Sequence, residues 1–412
     1  MKRKVVTCFG SFVLLLTAPL FAETEELAAT QSAPPENQYA QQPVAETQAD
    51  KLAAERAKVL RVMGNTQTVD LPLFPLEASV DLVFEQPIVE SEAESLRVHF
   101  VVERAGQAWG VLIKDEGGRV AWSAWDGVVQ GDDFWSDEIQ GRGLSVELHS
   151  ARLANPLRLR IDKIAVIRPG GTPESFHGKN QLKSIMGQDD WVVDLGASVA
   201  RLRFVGDDGW NYVCTAFLVS SDLMLTNQHC LATQAEAQSA LVDFDFNEDG
   251  RIGRTVRLSK LLDTDYALDY SVVRLLEPVD RKPLRLGLTH PEEKEQLLII
   301  QHPGGEPKQV SIDDCTVGRQ LVAGRGGEKT DFGHHCDTMG GSSGSPVLQF
   351  GSRRVVGLHH LGTTPFSSDL SNRATHVDLI LNHMAEAVRH QIEAESQAMP
   401  PTTGQEQTHT QQ

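Results

Sequence analysis

The chain has 412 residues, with 56 acidic against 38 basic side chains, a formal charge of −18 and a hydrophobic share of 40%. Its length suits about two domains of roughly 150 residues each, with tails. So acidic a balance speaks against a surface for phosphate backbones, which gathers Lys and Arg, and no nucleic-acid partner is expected.

Residues 1–22 read as a secretory signal. Met1-Lys2-Arg3-Lys4 is followed by an apolar run from Val5 to Leu16, and small Ala22 stands where a signal peptidase would cut. The run is short for a membrane span, and no later stretch approaches the ~20 apolar residues a membrane helix takes. The expected mature chain is secreted, to the periplasm or outside the cell, and has no membrane span. Residues 23–66 are rich in Ala, Gln, Glu and Pro and read as a disordered linker or pro-segment, with a short helix expected near Asp50 to Val62.

From 67 to 170 the pattern becomes period-two alternation, as in Leu144-Ser145-Val146-Glu147-Leu148 and Leu157-Arg158-Leu159-Arg160-Ile161. Such runs are half-buried strands, and with turns at Gly117-Gly118, Gly131-Asp132 and Asn155-Pro156 they predict a separate β-sandwich, an accessory or pro-domain. Its Trp109, Trp122, Trp125 and Trp135 are expected as core aromatics, with a ligand surface as the alternative. A Pro/Gly joint at 169–173 leads to a second β-rich domain, 187–397. This ends in a helix from Thr375 to Ala394, with Thr375 as N-cap and Val377, Ile380, Leu381, Met384 and Val388 on one face. Residues 398–412 read as a disordered tail.

Cys8 falls inside the signal, which leaves Cys214, Cys230, Cys315 and Cys336. Four cysteines allow three pairings; short loops favour Cys214 with Cys230 and Cys315 with Cys336, and free thiols or zinc are the alternative.

The second domain holds the chemistry. In Gly341-Ser342-Ser343-Gly344-Ser345-Pro346 the glycines let the backbone wrap around one serine and turn amides toward a single point, the geometry of an oxyanion hole. A serine hydroxyl needs a base, and His229 in Thr226-Asn227-Gln228-His229-Cys230 is the candidate. Asp269, leading directly into the strand Tyr270-Ser271-Val272-Val273, can accept the imidazole N–H; Asp263 and Asp265 are weaker rivals.

These segments, in the order His, Asp, Ser, resemble the chymotrypsin-like serine peptidases over about residues 190–395. Gly344-Ser345-Pro346 and Ile300-Gln301-His302-Pro303-Gly304-Gly305 look more narrowly like the bacterial glutamyl-endopeptidase (V8-like) branch. The resemblance implies an all-β fold of two six-stranded barrels with the site between them and a closing C-terminal helix. It also implies a Ser343 nucleophile, His229 as general base, Asp269 orienting it, Gly341 and Ser343 amides for the oxyanion, and a Cys214–Cys230 disulfide. No cofactor or metal is expected, and protein or peptide chains are the expected substrates.

This sequence departs from animal trypsins in two places. Ser342 replaces the acid that captures a new N-terminus, and Trp191-Val192-Val193 stands where an Ile-Val-Gly-Gly start is expected. Activation by cutting near residue 190 is one reading; retention of the accessory domain to recruit substrates is the other. The pocket signals conflict. Thr338 and His359 match positions that bind an acidic side chain, whereas Asp337 falls where trypsin places the acid that attracts Lys or Arg, and one pocket cannot serve both. A third reading has Asp337 pointing away. Asp245 to Asp249 resembles the start of a calcium loop, but Val256 replaces the closing acid, so a hairpin turn is expected. The histidine pairs 334–335 and 359–360 are expected at the surface or in a pocket rather than on a metal. The competing function is a non-catalytic or chaperone-like periplasmic peptide-binding protein on the same fold.

Overall fold

The computed structural model describes residues 47–73, 82–104, 109–125, 133–150, 158–168, 174–175, 179–248, 251–362 and 371–398. The signal, the turns at 131–132 and 155–156, the joint at 169–173 and the tail beyond 398 lie outside them. Among the described residues no helix is long and apolar enough to cross a membrane.

Alternation in the accessory region builds strands as expected. Gly143–Ser150 buries Leu144, Val146 and Leu148, and Arg158–Ile167 buries Leu159 and Ile161. These inward faces meet Val98, Phe100, Val111 and Ile113 in one apolar core. Trp109 and Trp135 are buried and Trp122 packs on the core, whereas Trp125 is exposed.

The sandwich is joined to the second domain more closely than the sequence suggested. Its first strand, β1 (Arg61–Leu73), pairs with Arg158–Ile167 on one side and with Trp210–Leu218 on the other, so one sheet of eleven strands runs from the sandwich into that domain. Residues 47–66, expected as linker, form helix α1 (Gln48–Val59) and the start of β1. Thr47 caps α1, accepting the Asp50 N–H while Asp50 accepts the Thr47 N–H.

Trp210–Leu218 also begins a closed barrel. It pairs with Val199–Val205, then Leu241–Phe244, Arg254–Asp265, Tyr270–Leu275 and Leu223–Thr226 come in turn, the last returning to Trp210–Leu218. Leu60, at the joint of α1 and β1, is 2% exposed and sits in this barrel's core with Leu202, Leu218 and Val242. The second barrel sheet runs Lys183–Ser184, Gln309–Ser311, Leu297–Gln301, Pro346–Gln349, Val355–Leu361, Asn372–His376 and Asp331–His334. The all-β, double-barrel expectation holds.

The closing helix is displaced and broken. Thr375 is in a strand, paired with Asp331 and Leu358, so His376 rather than Thr375 precedes the helix Val377–His383, and a second helix, Glu386–Ala398, comes after it. A β-branched Thr suits the ladder better than the cap its sequence position suggested. Trp191-Val192-Val193 lies in the helix Asp190–Gly196, where Val192 is 1% exposed.

Truncating Leu60 to Ala is expected to destabilise the protein by about 2–5 kcal/mol, the cost of an unfilled core site. Urea unfolding of the full chain measures it; an unchanged midpoint would show that the segment before β1 is not part of the barrel's core.

Candidate active site

Asp269 initiates the strand Tyr270–Leu275 from a left-handed backbone (φ 49°), which turns its carboxylate inward, where the residue is 1% exposed. An ionised buried carboxylate requires donors. One oxygen accepts the backbone N–H of His229 (3.0 Å) and the Arg325 guanidinium (2.9 Å). The other accepts His229 Nδ1–H (2.7 Å) and lies 3.4 Å from His360 Nδ1. Burial alone would raise the Asp269 pKa, but the charges and hydrogen bonds of His229, His360 and Arg325 hold it well below the usual carboxylate range.

His229 follows the strand Leu223–Thr226. Asn227 Nδ2 donates to Asp269 O (2.9 Å), and Cys230 is bonded to Cys214. The second disulfide is Cys315–Cys336, so both favoured pairings are present. With Nδ1 donating to Asp269, Nε2 is left as the acceptor, and among the described residues it has no hydrogen-bond partner.

The serine turn is seated against this loop. Thr215 N–H donates to Ser343 O (2.8 Å) and Thr215 Oγ donates to Gly341 O (2.9 Å), and the Ser343 carbonyl lies 4.0 Å from Cys230 Sγ. Both glycines are required. Gly344 (φ +87°) passes so near Thr215 that a Cβ would lie 2.0 Å from its carbonyl oxygen, and at Gly341 (φ +103°) a Cβ would lie 2.8 Å from His302 O. Gly304 N–H holds Gly340 O at 2.7 Å. Because the peptide is planar and trans, this turns the Gly341 N–H away from residue 304. Among the described residues no hydrogen bond engages the N–H of Gly341 or Ser343. The His302-Pro303-Gly304-Gly305 turn thus braces the amides.

The rivals of Asp269 are occupied elsewhere. Asp263 accepts the Tyr270 hydroxyl (3.0 Å) and Ala385 N–H (2.7 Å), and Asp265 accepts Leu268 N–H (2.7 Å).

The pocket residues lie beside the serine turn. His359 is tied through its backbone to Gly344 and Ser345 and through Nδ1 to His334 Nε2 (3.1 Å). Burial, then the neighbouring His360 and His229, lower its pKa to about 3, so it is neutral at physiological pH. Thr338 accepts from Asn372 Nδ2 (3.1 Å), and Asn372 stands opposite His334 in the ladder. The Asp337 carboxylate accepts the Gln181 N–H (2.8 Å) and is thereby committed to the segment before the barrels.

His360 was expected at the surface or in a pocket, yet it bridges two aspartates, 2.7 Å from Asp331 and 3.4 Å from Asp269. Burial would depress it, but the charge of Asp331 and hydrogen bonds to both acids push its pKa up to about 10. Arg325, His360, Asp331 and Thr215 escaped sequence reasoning; only the His-His doublet hinted at one of them, and Arg325 stands in a Gly-rich loop without periodicity.

Asp245 gives both oxygens to Arg281, and Val256 is a buried barrel residue; Asp249 lies outside the described residues. Ligand atoms of His290, His376 and Asp378 converge, but the two imidazoles stack at 3.7 Å and 16°. Parallel rings cannot both aim in-plane lone pairs at one ion.

The raised pKa of His360 stabilises the fold fully below the ordinary value of 6.5, and the contribution is lost as pH rises through about 10. The lowered pKa of Asp331 contributes above its ordinary 3.8. Asp331→Asn breaks the buried pair and is expected to cost about 3–5 kcal/mol at pH 7. In urea unfolding the gap to wild type should narrow toward pH 10, and a pH-independent gap would contradict an ionised pair.

Comparison with known proteins matches residues 214–358 to the family model described as a trypsin-like peptidase domain. The chain is 31% identical over 265 residues to secreted RxLR effector protein 73 of Plasmopara viticola, covering 56% of this chain and 65% of that protein. It is 31% identical over 246 residues to an uncharacterized protein of Sinorhizobium fredii, covering 50% of this chain and 35% of that protein. The chain therefore spans less than two thirds of the length of either relative. A solved structure of the Rv3671c protease from M. tuberculosis in its active form aligns at a TM-score of 0.37 and 15% identity, over 57% of this chain and 96% of that one. His229, Asp269 and Ser343 all lie within the residues matched by that family model.

Proposed function

We propose that the protein is a secreted serine endopeptidase in which Ser343 is the nucleophile, His229 the general base and Asp269 the group that orients it. The observation that carries this reading is the buried His229–Asp269 pair, whose Nε2 is left unbonded among the described residues beside a serine turn with two unengaged amides. Asp269 fixes the tautomer that leaves Nε2 basic. Ser343 Oγ attacks the scissile carbonyl carbon while Nε2 takes the hydroxyl proton. The oxyanion of the tetrahedral intermediate is met by the N–H groups of Gly341 and Ser343. His229 returns the proton to the departing amine, leaving an acyl-enzyme, and a water activated by the same nitrogen releases the acid.

The pocket supports cleavage after Glu or Asp, in keeping with the glutamyl-endopeptidase-like branch. Asp337 accepts the Gln181 N–H, and neutral His359, held by His334, places no negative charge beside the serine turn to repel an acidic side chain. Two disulfides fit an oxidising compartment, which supports export to the periplasm or outside the cell.

Digesting a mixed peptide library with the protein, and with Ser343→Ala as control, tests both points. Cuts after acidic residues that vanish in the variant are expected. Cuts after Lys or Arg would overturn the pocket reading, and peptide binding without any cleavage would favour the non-catalytic alternative.

A further inference from the structure

Helix α1 stands before the accessory domain in sequence, more than 170 residues from His229, yet it reaches the catalytic pair from two directions. Arg56 is 2% exposed. Its guanidinium donates from Nε to His229 O (2.8 Å), from NH2 to Cys230 O (3.2 Å), and from both terminal nitrogens to the Glu236 carboxylate (2.5 and 2.8 Å). The planar fork fits three fixed acceptors at once, as a lysine could not. Glu55, one position earlier and about 100° around the helix, bonds Arg325. Arg325 in turn holds Gln228 Oε1 (2.6 Å) and Asp269 Oδ1 (2.9 Å). Adjacent residues of one helix therefore secure the backbone of the histidine and, through one arginine, the carboxylate that orients it.

The peptidase half is built to receive this helix. Glu236 is 1% exposed, and among the described residues the cation paired with it is Arg56. Without α1, Glu236 would be a buried carboxylate lacking its counter-charge beside the histidine loop, an arrangement proteins avoid. Phe204 and Tyr212 of the barrel flank the guanidinium at 5.5 and 5.6 Å. Leu60, one turn on, plugs the barrel core, and β1 continues its sheet.

We propose that Arg56 and Glu55 are positioning residues of the catalytic centre, so that α1 belongs to the working enzyme and a cut near residue 190 that released everything before it would inactivate rather than activate. The inference rests on the serine-peptidase reading. A catalytic histidine must be held to a fraction of an ångström, and a misplacement near 1 Å costs about a hundredfold in rate. Because α1 touches the histidine loop and not the pocket, its loss is felt in turnover and not in substrate binding.

The test uses the full-length protein, with a fluorophosphonate that labels Ser343 and a chromogenic peptide anilide whose scissile amide directly follows Glu. Arg56→Met is expected to lower kcat by about a hundredfold and Glu55→Gln by about tenfold. KM should stay within about twofold in both, and phosphonylation of Ser343, with loss of fluoride from the probe, should slow in step with kcat. Glu55 is partly exposed and Gln keeps its shape, so that variant reports even if Arg56→Met fails to fold. A parent protein that takes no label contradicts the peptidase reading itself. A labelled parent with Glu55→Gln at wild-type kcat, or with an effect confined to KM, would falsify the positioning role alone.

Discussion

A buried carboxylate that must remain ionised organises the centre of this molecule. Asp269 lies inside the fold on a left-handed residue, and its charge is sustained by four donors from three parts of the chain: two from His229, one from Arg325, one from His360. The two outer donors bring counter-charges of their own. Arg325 is bonded to Glu55 and His360 to Asp331, so the network alternates in sign from α1 through the first barrel to the second. Alternation is what makes such a cluster tolerable in a low dielectric, where any one member left unpaired would cost more than its partner returns.

The second constraint is close approach. Thr215, next to a disulfide cysteine on the strand shared by barrel and sandwich, bonds the carbonyls of Ser343 and Gly341 and receives the His302 N–H. Only glycine at 344 permits that distance. The serine turn, the histidine loop and the glycine turn at 303–305 are thus locked to one residue of the first barrel. The same strand pairs with β1, which ties the accessory region to the site through the shared sheet as well as through the charges of α1.

Local patterns revealed much of this and long-range contacts the rest. Alternating runs announced the strands, loop length favoured the two disulfides that are present, and three motifs in order pointed to His229, Asp269 and Ser343, of which the structure joins the first two by hydrogen bonds and sets the third against the neighbouring disulfide. The helix expected near Asp50 to Val62 is present as α1, but reading the described part of residues 23–66 as linker missed its contacts, because composition counts apolar residues and not their destinations. Leu60 alone fills a core, and Arg56 finds its acceptors about 175 positions away. The direction of Asp337 depended on the Gln181 N–H, and the role of His360 on Asp331, neither visible in spacing. Thr375 read as a helix cap because its ladder partners are distant in sequence.

If the His229–Asp269 pair works as a base, it activates one serine among many. Peptide mapping of the fluorophosphonate-treated protein by mass spectrometry, beside the His229→Ala variant, tests this. A single adduct on Ser343 is expected, absent from His229→Ala. An adduct on another serine, or one on Ser343 that forms equally fast without His229, would contradict it.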